Sequence, residues 1–170
     1  MATNDFGVAE SAHGSQATWN WLRDDRDTSS EVVVAAGDPL KASAAGGAFA
    51  VRAVDADFTV GTDQPVLGIA QKASTETATV DGSVEVVQPL PGMVYRGRSL
   101  LATATDTDAE IDAMRGDYQI IDLTGTAFTV DTAGGSGASN ALLIVGGDSS
   151  TSTLRFMFRH DSTAMGRGSA

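Results

Sequence analysis

The sequence predicts an all-β protein, either a barrel or a sandwich, and two observations support this fold class. Short runs rich in β-branched residues recur at spacings near ten residues, and glycine, proline and aspartate separate them. With 170 residues, the chain is long enough for one domain with its own hydrophobic core. We expect an N-terminal arm over residues 1–30, a single β-domain over 31–160 and a flexible tail over 161–170.

The predicted arm is polar except for one apolar cluster, Trp19, Trp21 and Leu22, which precedes a charged run. Residues two apart in an extended segment point to the same side, so both indoles would share one face. Such an arm could lie on the surface of another protein, where aromatic residues are enriched. It could equally fold back and complete the core of its own domain.

Strands are expected in nine segments between Val32 and Arg159, with one helix among them. Asp81-Gly82 is a hairpin signal, because both residues tolerate a positive φ. Thr107 and Glu110 form a capping-box pattern, and Gly116 stands where the helix should stop, which predicts about two helical turns. The predicted strands cover residues 32–36, 49–54, 66–70, 84–87, 93–96, 118–123, 127–130, 141–145 and 154–159.

Residues that could carry catalysis or bind a metal are few. His13 and His160 have no serine or carboxylate at a spacing that predicts a triad. Asp106, Asp108 and Glu110 alternate like the first half of a calcium loop, but the glycine that the turn of such a loop requires is replaced by isoleucine. We therefore predict no catalytic residue, no metal site, no cofactor and no enzymatic activity.

Composition limits the possible partners. The formal net charge is −11, which repels phosphate backbones, so nucleic acid is not an expected partner. The chain contains no cysteine, which excludes disulfides and thiolate metal sites. No apolar run approaches the roughly 20 residues of a membrane helix, so no membrane association is expected.

The arginines offer a more specific signal. Arg96 and Arg98 flank Gly97 beside a proline-rich turn, and Arg155 and Arg159 flank two phenylalanines in a predicted strand. Alternation along that strand would place arginine and methionine on one face and phenylalanine on the other. Because arginine is enriched at protein interfaces, we predict that these four residues, with the apolar cluster of the arm, contact an acidic partner surface.

Part of the sequence resembles the capsid decoration, or cement, proteins of tailed bacteriophages. The likeness covers residues 32–98 and rests on Gly37-Asp38-Pro39-Leu40, the Gly68-Ile69-Ala70 strand, Asp81-Gly82 and the Val84-Glu85-Val86 strand. It implies a small β-barrel or β-tulip-like core over 31–104, to which the short helix and an added β-region over 105–160 would be appended.

The resemblance also implies a function. Members of this family form homotrimers on the outer surface of the phage head, and they stabilise it by bridging subunits of the major capsid protein. The chain would then be made in the host cytoplasm and reside on the outside of the virion. Alternatives are a carbohydrate-binding or adhesive β-module, for which two tryptophans are few, and a phage tail or neck structural protein.

Overall fold

The computed structural model describes residues 7–10, 18–23, 32–43, 49–53, 58–60, 64–76, 82–124, 127–134 and 136–163. These residues form thirteen strands and one α-helix, α1 (Asp108–Met114). The strands are β1 (Gly7–Glu10), β2 (Thr18–Arg23), β3 (Val32–Val34), β4 (Pro39–Ala42), β5 (Phe49–Arg52), β6 (Val66–Ala70), β7 (Ser74–Glu76), β8 (Ser83–Val87), β9 (Val94–Arg98), β10 (Tyr118–Thr124), β11 (Ala127–Asp131), β12 (Leu142–Asp148) and β13 (Thr153–Phe158). The all-β prediction is confirmed, as is the presence of a small barrel.

Five strands close into the barrel in the order β2-β5-β4-β6-β8. Strand β2 pairs with β8 antiparallel and with β5 parallel, while the other barrel pairs are antiparallel. Strands β3 and β7 form a separate two-stranded antiparallel ribbon. At Gly68, whose φ is +135°, an added Cβ would overlap the backbone carbonyl of Val87, so only glycine allows β6 and β8 to approach this closely.

The remaining strands form a six-stranded sheet in the order β1-β9-β13-β12-β10-β11, with antiparallel pairing throughout. The sheet curls into a half-barrel, because Ser99 just after β9 bridges Val130 of β11. The Leu100 amide also donates a hydrogen bond of 2.9 Å to the Val130 carbonyl. The edge strand β11 is thereby brought next to the end of β9.

Strand β6 connects the cores of the two regions. All five of its residues are buried, as expected for a strand covered on both faces. Leu67 and Ala70 pack in the barrel interior with Leu40, while Val66 and Ile69 belong to the larger core of the six-stranded sheet.

A buried ion pair fixes the turn between β3 and β4. The Asp38 carboxylate, 1% exposed, accepts hydrogen bonds from Arg52 Nε at 2.8 Å and from the Ala35 amide at 2.9 Å. The Arg52 guanidinium also lies 4.6 Å from the ring centre of Phe128 in β11, so this arginine connects the barrel to the sheet.

The helix follows its sequence signal. The Thr107 hydroxyl accepts from the Glu110 amide at 3.3 Å, and Glu110 accepts in return from the Thr107 amide at 3.1 Å, which confirms the capping box. The buried Ile111 side chain packs against Gly147 of β12, so the helix rests on the six-stranded sheet. Gly116, with φ of +93°, follows the last turn as predicted.

All nine predicted strands overlap observed ones, but four further strands were not predicted, namely β1, β2, β4 and β7. Strand β4 begins at Pro39, inside the predicted turn, since proline is tolerated as the first residue of a strand. Strand β7 is small and polar and pairs only with β3. Asp81 of the hairpin signal lies outside the described residues.

The sheet boundaries differ from the predicted division of the chain. The predicted arm contributes β2 to the barrel and β1 to the six-stranded sheet. Strand β9, predicted within the 31–104 barrel core, pairs with β13 and β1 because its inward face carries Tyr95, which packs with the aromatic residues of the later strands. At the C-terminus, Ser162 and Thr163 are buried, although the tail was expected to begin at residue 161.

Candidate functional site

Three of the arginines predicted to bind a partner lie together on the outer face of the six-stranded sheet. Burial alternates along β9 and β13, so that Arg96, Arg98 and Arg155 are exposed while their neighbours Tyr95 and Phe156 are buried. We call the exposed side chains of Arg96, Arg98 and Arg155 the arginine face. The predicted separation of arginine and methionine from phenylalanine along residues 154–158 is confirmed, because Phe156 points inward.

Within this face, Arg155 stands directly opposite Arg96 across the antiparallel pair, and Arg98 stands opposite Thr153. Side chains in such pairs have Cβ atoms about 5 Å apart, and like charges there are destabilising. A fold that only needed a solvated surface would gain by placing an acid at one of the two positions, and the chain has 22 acidic residues. Local conflicts of this kind are typical of functional positions.

An open groove of about 440 Å³ borders one end of the arginine face, and we call it the Gly146 groove. Gly146 lies opposite Arg155, and beyond it stands Arg115, whose guanidinium is 3.9 Å from the position a Gly146 Cβ would take. Arg115 also forms a 2.7 Å ion pair with exposed Asp112. The groove is lined by Val94, Arg115, Val145, Gly146, Gly147, Arg155 and Met157, and it therefore combines apolar walls with two guanidinium groups.

A second open groove, of about 390 Å³, borders the other end of the face at Arg98. Hydroxyl groups from the turn between β12 and β13 line it together with Thr129. Asp148 organises that turn, because the Ser150 hydroxyl donates to its carboxylate at 2.6 Å and lowers its pKa. Leu100 and Ala102 add apolar surface to this groove, so hydroxyl groups and apolar side chains line it together.

The arginine face rests on a rigid aromatic core. On the inner side of β9 and β13, the ring centres of Tyr95 and Phe156 are 6.0 Å apart, and Phe158 contacts both rings edge-on at 5.0 and 5.5 Å. The Tyr95 hydroxyl donates to the Gln88 carbonyl at 2.9 Å, and its burial raises the pKa of Tyr95. Strands held in this way position their outward side chains more accurately than loops would.

Arg159 occupies a different environment. Its guanidinium donates to both carboxylate oxygens of Asp161, at 3.1 and 2.7 Å, and to the carbonyl of Ala138. It also lies 4.8 Å from the ring centre of Tyr118. These contacts join the residues after β13 to the sheet, so Arg159 has a structural role whether or not it also touches a partner.

The apolar cluster of the predicted arm is part of β2 in the barrel. Trp19 lies opposite Val86, Trp21 opposite Val84 and Leu22 opposite Ser83 in the register with β8. The structure thus brings Arg96, Arg98 and Arg155 together in the six-stranded sheet. The strand that contains Trp19 and Trp21 lies in the barrel instead.

Arg115 and the apolar lining of the Gly146 groove were missed by sequence reasoning. Arg115 was not among the predicted site residues, because nothing local in the sequence shows that the end of α1 places it next to Gly146 of β12. The alternation Val94, Arg96, Arg98 along β9 was a usable signal, since alternate residues of a strand share one face.

Among the described residues, no group of three histidine, cysteine, aspartate or glutamate side chains is arranged to hold a metal ion. Within the same part of the chain, no helix combines the length and hydrophobicity that crossing a bilayer requires. No protein-family model matches the chain, and no curated protein matches it in sequence.

Proposed function

We propose that this protein is a capsid decoration protein, which binds the outer surface of an assembled tailed-phage head and stabilises it by bridging subunits of the major capsid protein. The observation that carries the proposal is the arginine face, a cluster of exposed guanidinium groups on two paired strands of a chain whose net charge is −11. The sequence resemblance over residues 32–98 supplies the class of partner. The decorating unit would be a homotrimer on the virion exterior.

The chemistry of the face suits protein binding. An arginine has five N–H donors in a planar fork and binds carboxylates bidentately, so a strand pair rich in arginine can recognise an acidic protein surface. The overall negative charge disfavours the DNA-facing side of a shell, because it would repel the packaged phosphates. Both properties suit a protein that docks on the outside.

Stabilisation would follow from mass action. A ligand that binds only the expanded lattice lowers the free energy of that state by RT ln(1 + [L]/Kd), and a trimer that touches several subunits adds avidity. Additional noncovalent contacts between neighbouring capsomers would then oppose the pressure of the packaged genome. No bond is made or broken by the protein itself.

The test uses undecorated expanded heads and unexpanded proheads of the phage that encodes the chain. The purified protein is mixed with each and the particles are sedimented. We expect the protein to pellet with expanded heads alone and to raise the temperature at which those heads release DNA. Failure to bind expanded heads under any salt condition would contradict the proposal, and assembly of the protein into rings of six would instead favour a tail or neck component.

A further inference from the structure

The outward side chains of β9 form an ordered series along the strand. Val94, Arg96 and Arg98 occupy alternate positions, so the series reads apolar, basic, basic. Alternate residues on one face of a strand are spaced by about 7 Å. An extended peptide lying along β9 has the same spacing between its own alternate side chains, and its residues could therefore match the series one to one.

The order of side chains along β9 sets which part of such a peptide lies at each end. At the Val94 end, the Gly146 groove offers Met157 and Val145 as apolar walls, with space above Gly146. At the Arg98 end, the adjoining groove presents hydroxyl groups beside Leu100 and Ala102, and Arg98 supplies the positive charge. An apolar side chain therefore suits the position over Val94, and carboxylates suit the positions over Arg96 and Arg98.

Both β9 and β13 present guanidinium groups to which the carboxylates of such a peptide could bind. The carboxylate above Arg96 would also meet Arg155, which stands opposite it on β13. Arg98 and Arg155 already interact within the chain, but a guanidinium has five N–H donors and can also donate to an additional carboxylate. Bidentate pairing between arginine and carboxylate is among the strongest hydrogen-bonding arrangements in proteins.

We infer that the arginine face binds an extended acidic segment of a partner protein, in which an apolar residue and two carboxylates occupy alternate positions, the apolar residue over Val94 and the carboxylates over Arg96 and Arg98. This inference rests on the proposed function and deepens it, because it specifies the chemistry of the capsid segment that the face receives. A polyphosphate or nucleic acid is disfavoured, since the long-range field of the acidic chain opposes a dense polyanion.

The test uses synthetic peptides and the full chain. The matching probe is valine-threonine-glutamate-threonine-glutamate-threonine, or the same residues in reverse order, labelled with a fluorophore and presented in several copies on a carrier. One control peptide has the same composition with its two glutamates adjacent, and a second has glutamine in their place. We expect the matching peptide to bind at least about tenfold more tightly than either control, and to weaken as salt is raised.

Variants then locate the binding. Arg96→Glu combined with Arg155→Glu should reduce binding of the matching peptide at least about tenfold, whereas Arg96→Lys combined with Arg155→Lys should retain part of it. Lys72→Glu is the matched control, because Lys72 is exposed, pairs only at the surface with Glu85 and lies outside the arginine face. A peptide with lysines in place of the glutamates should bind the double glutamate variant more tightly than it binds the unmodified chain, and circular dichroism of the variant shows whether it is folded.

The outcomes separate this inference from the proposed function. Equal binding of the alternating and adjacent peptides would overturn it, because charge alone would then explain the affinity. Binding to expanded heads without binding of the matching peptide would also overturn it and leave the proposed function intact. Peptide binding without head binding would overturn the assignment to a capsid. Loss of self-association in the double glutamate variant, without peptide binding, would show that a second copy occupies the face.

Discussion

In the barrel, Arg52 lies against buried Asp38 and over the ring of Phe128, whereas in the six-stranded sheet Arg96 and Arg155 face solvent opposite each other. The first arrangement satisfies a buried carboxylate and joins two regions of the fold. The second places like charges together, which the fold alone does not require. The comparison teaches that arginine joins two parts of the fold in one region and is exposed on the surface of a sheet in the other, where we propose that it binds a partner.

Arg159, which directly follows β13, shows the same difference between an arginine with a structural role and an exposed one. Its guanidinium is paired with Asp161 and stacked on Tyr118, while Arg155, four residues earlier, is exposed at the edge of the Gly146 groove. Substitution of Arg52 or Arg159 should therefore lower the stability of the fold. Substitution of Arg96 or Arg155 should lower binding to the partner. Of the four predictions below, ordered by decreasing effect on stability, those at Arg52 and Arg155 test this division.

The largest loss of stability is expected at the contact between β6 and β8. Gly68→Ala should lower the free energy of unfolding by more than about 3 kcal/mol, because the new Cβ overlaps a backbone carbonyl and the residue has a positive φ. Urea unfolding followed by circular dichroism measures this. Gly116→Ala is the control: it also has a positive φ, but no atom lies within 4 Å of its added Cβ, so a much smaller loss is expected.

The buried ion pair of the barrel gives the next effect. Arg52→Met should lower the free energy of unfolding by about 3 kcal/mol, because Asp38 would remain buried without its cation. Adding Asp38→Asn should recover a substantial part of that loss, since the uncompensated charge is removed. Equal stability of Arg52→Met and the unmodified protein would contradict a structural role for Arg52.

A smaller effect is expected at the helix that carries Arg115. Thr107→Ala should lower the free energy of unfolding by about 1 kcal/mol through loss of the N-cap. Hydrogen bonds from Thr107 lower the pKa of Glu110, so their contribution is complete above the unfolded carboxyl pKa of about 4.3 and is lost as the pH falls through the lower folded value. The difference between variant and unmodified protein should therefore shrink from pH 7 to pH 3, as thermal unfolding at both pH values would show.

The smallest change in stability should accompany a large change in binding. Arg155→Glu replaces a like-charge pair with an ion pair across β9 and β13 but also removes the interaction that Arg155 makes within the chain, so the free energy of unfolding should change by less than about 0.5 kcal/mol. The same variant should bind expanded heads at least about tenfold more weakly. Chemical denaturation and head sedimentation measure the two quantities. A variant that loses stability and keeps its binding would reverse the comparison.

Local patterns predicted much of this fold. Strand β6 is a bounded apolar run, and α1 begins with a capping box, so neighbouring residues in the sequence determine both. Strand β2 was read as part of an arm, because a tryptophan-rich segment can pack on its own barrel or on a partner, and only the pairing with β5 and β8 distinguishes the two.

The candidate site was predictable in part. The four arginines were selected from composition and alternation. However, Arg96 and Arg155 are 59 positions apart in the sequence, and they lie opposite each other only because of the register between β9 and β13. Non-local pairing of this kind leaves no signal in a single sequence. The same reason explains why Arg115 was missed, since its place at the groove depends on how α1 packs against β12.

The most direct measurement is sedimentation of undecorated expanded heads with the unmodified chain, with the variant carrying both Arg96→Glu and Arg155→Glu, and with Lys72→Glu. We expect the unmodified chain and Lys72→Glu to pellet with the heads to the same extent, and the double variant to stay in the supernatant while remaining folded. Equal pelleting of all three proteins, or pelleting of none, would contradict a capsid-binding role for the arginine face.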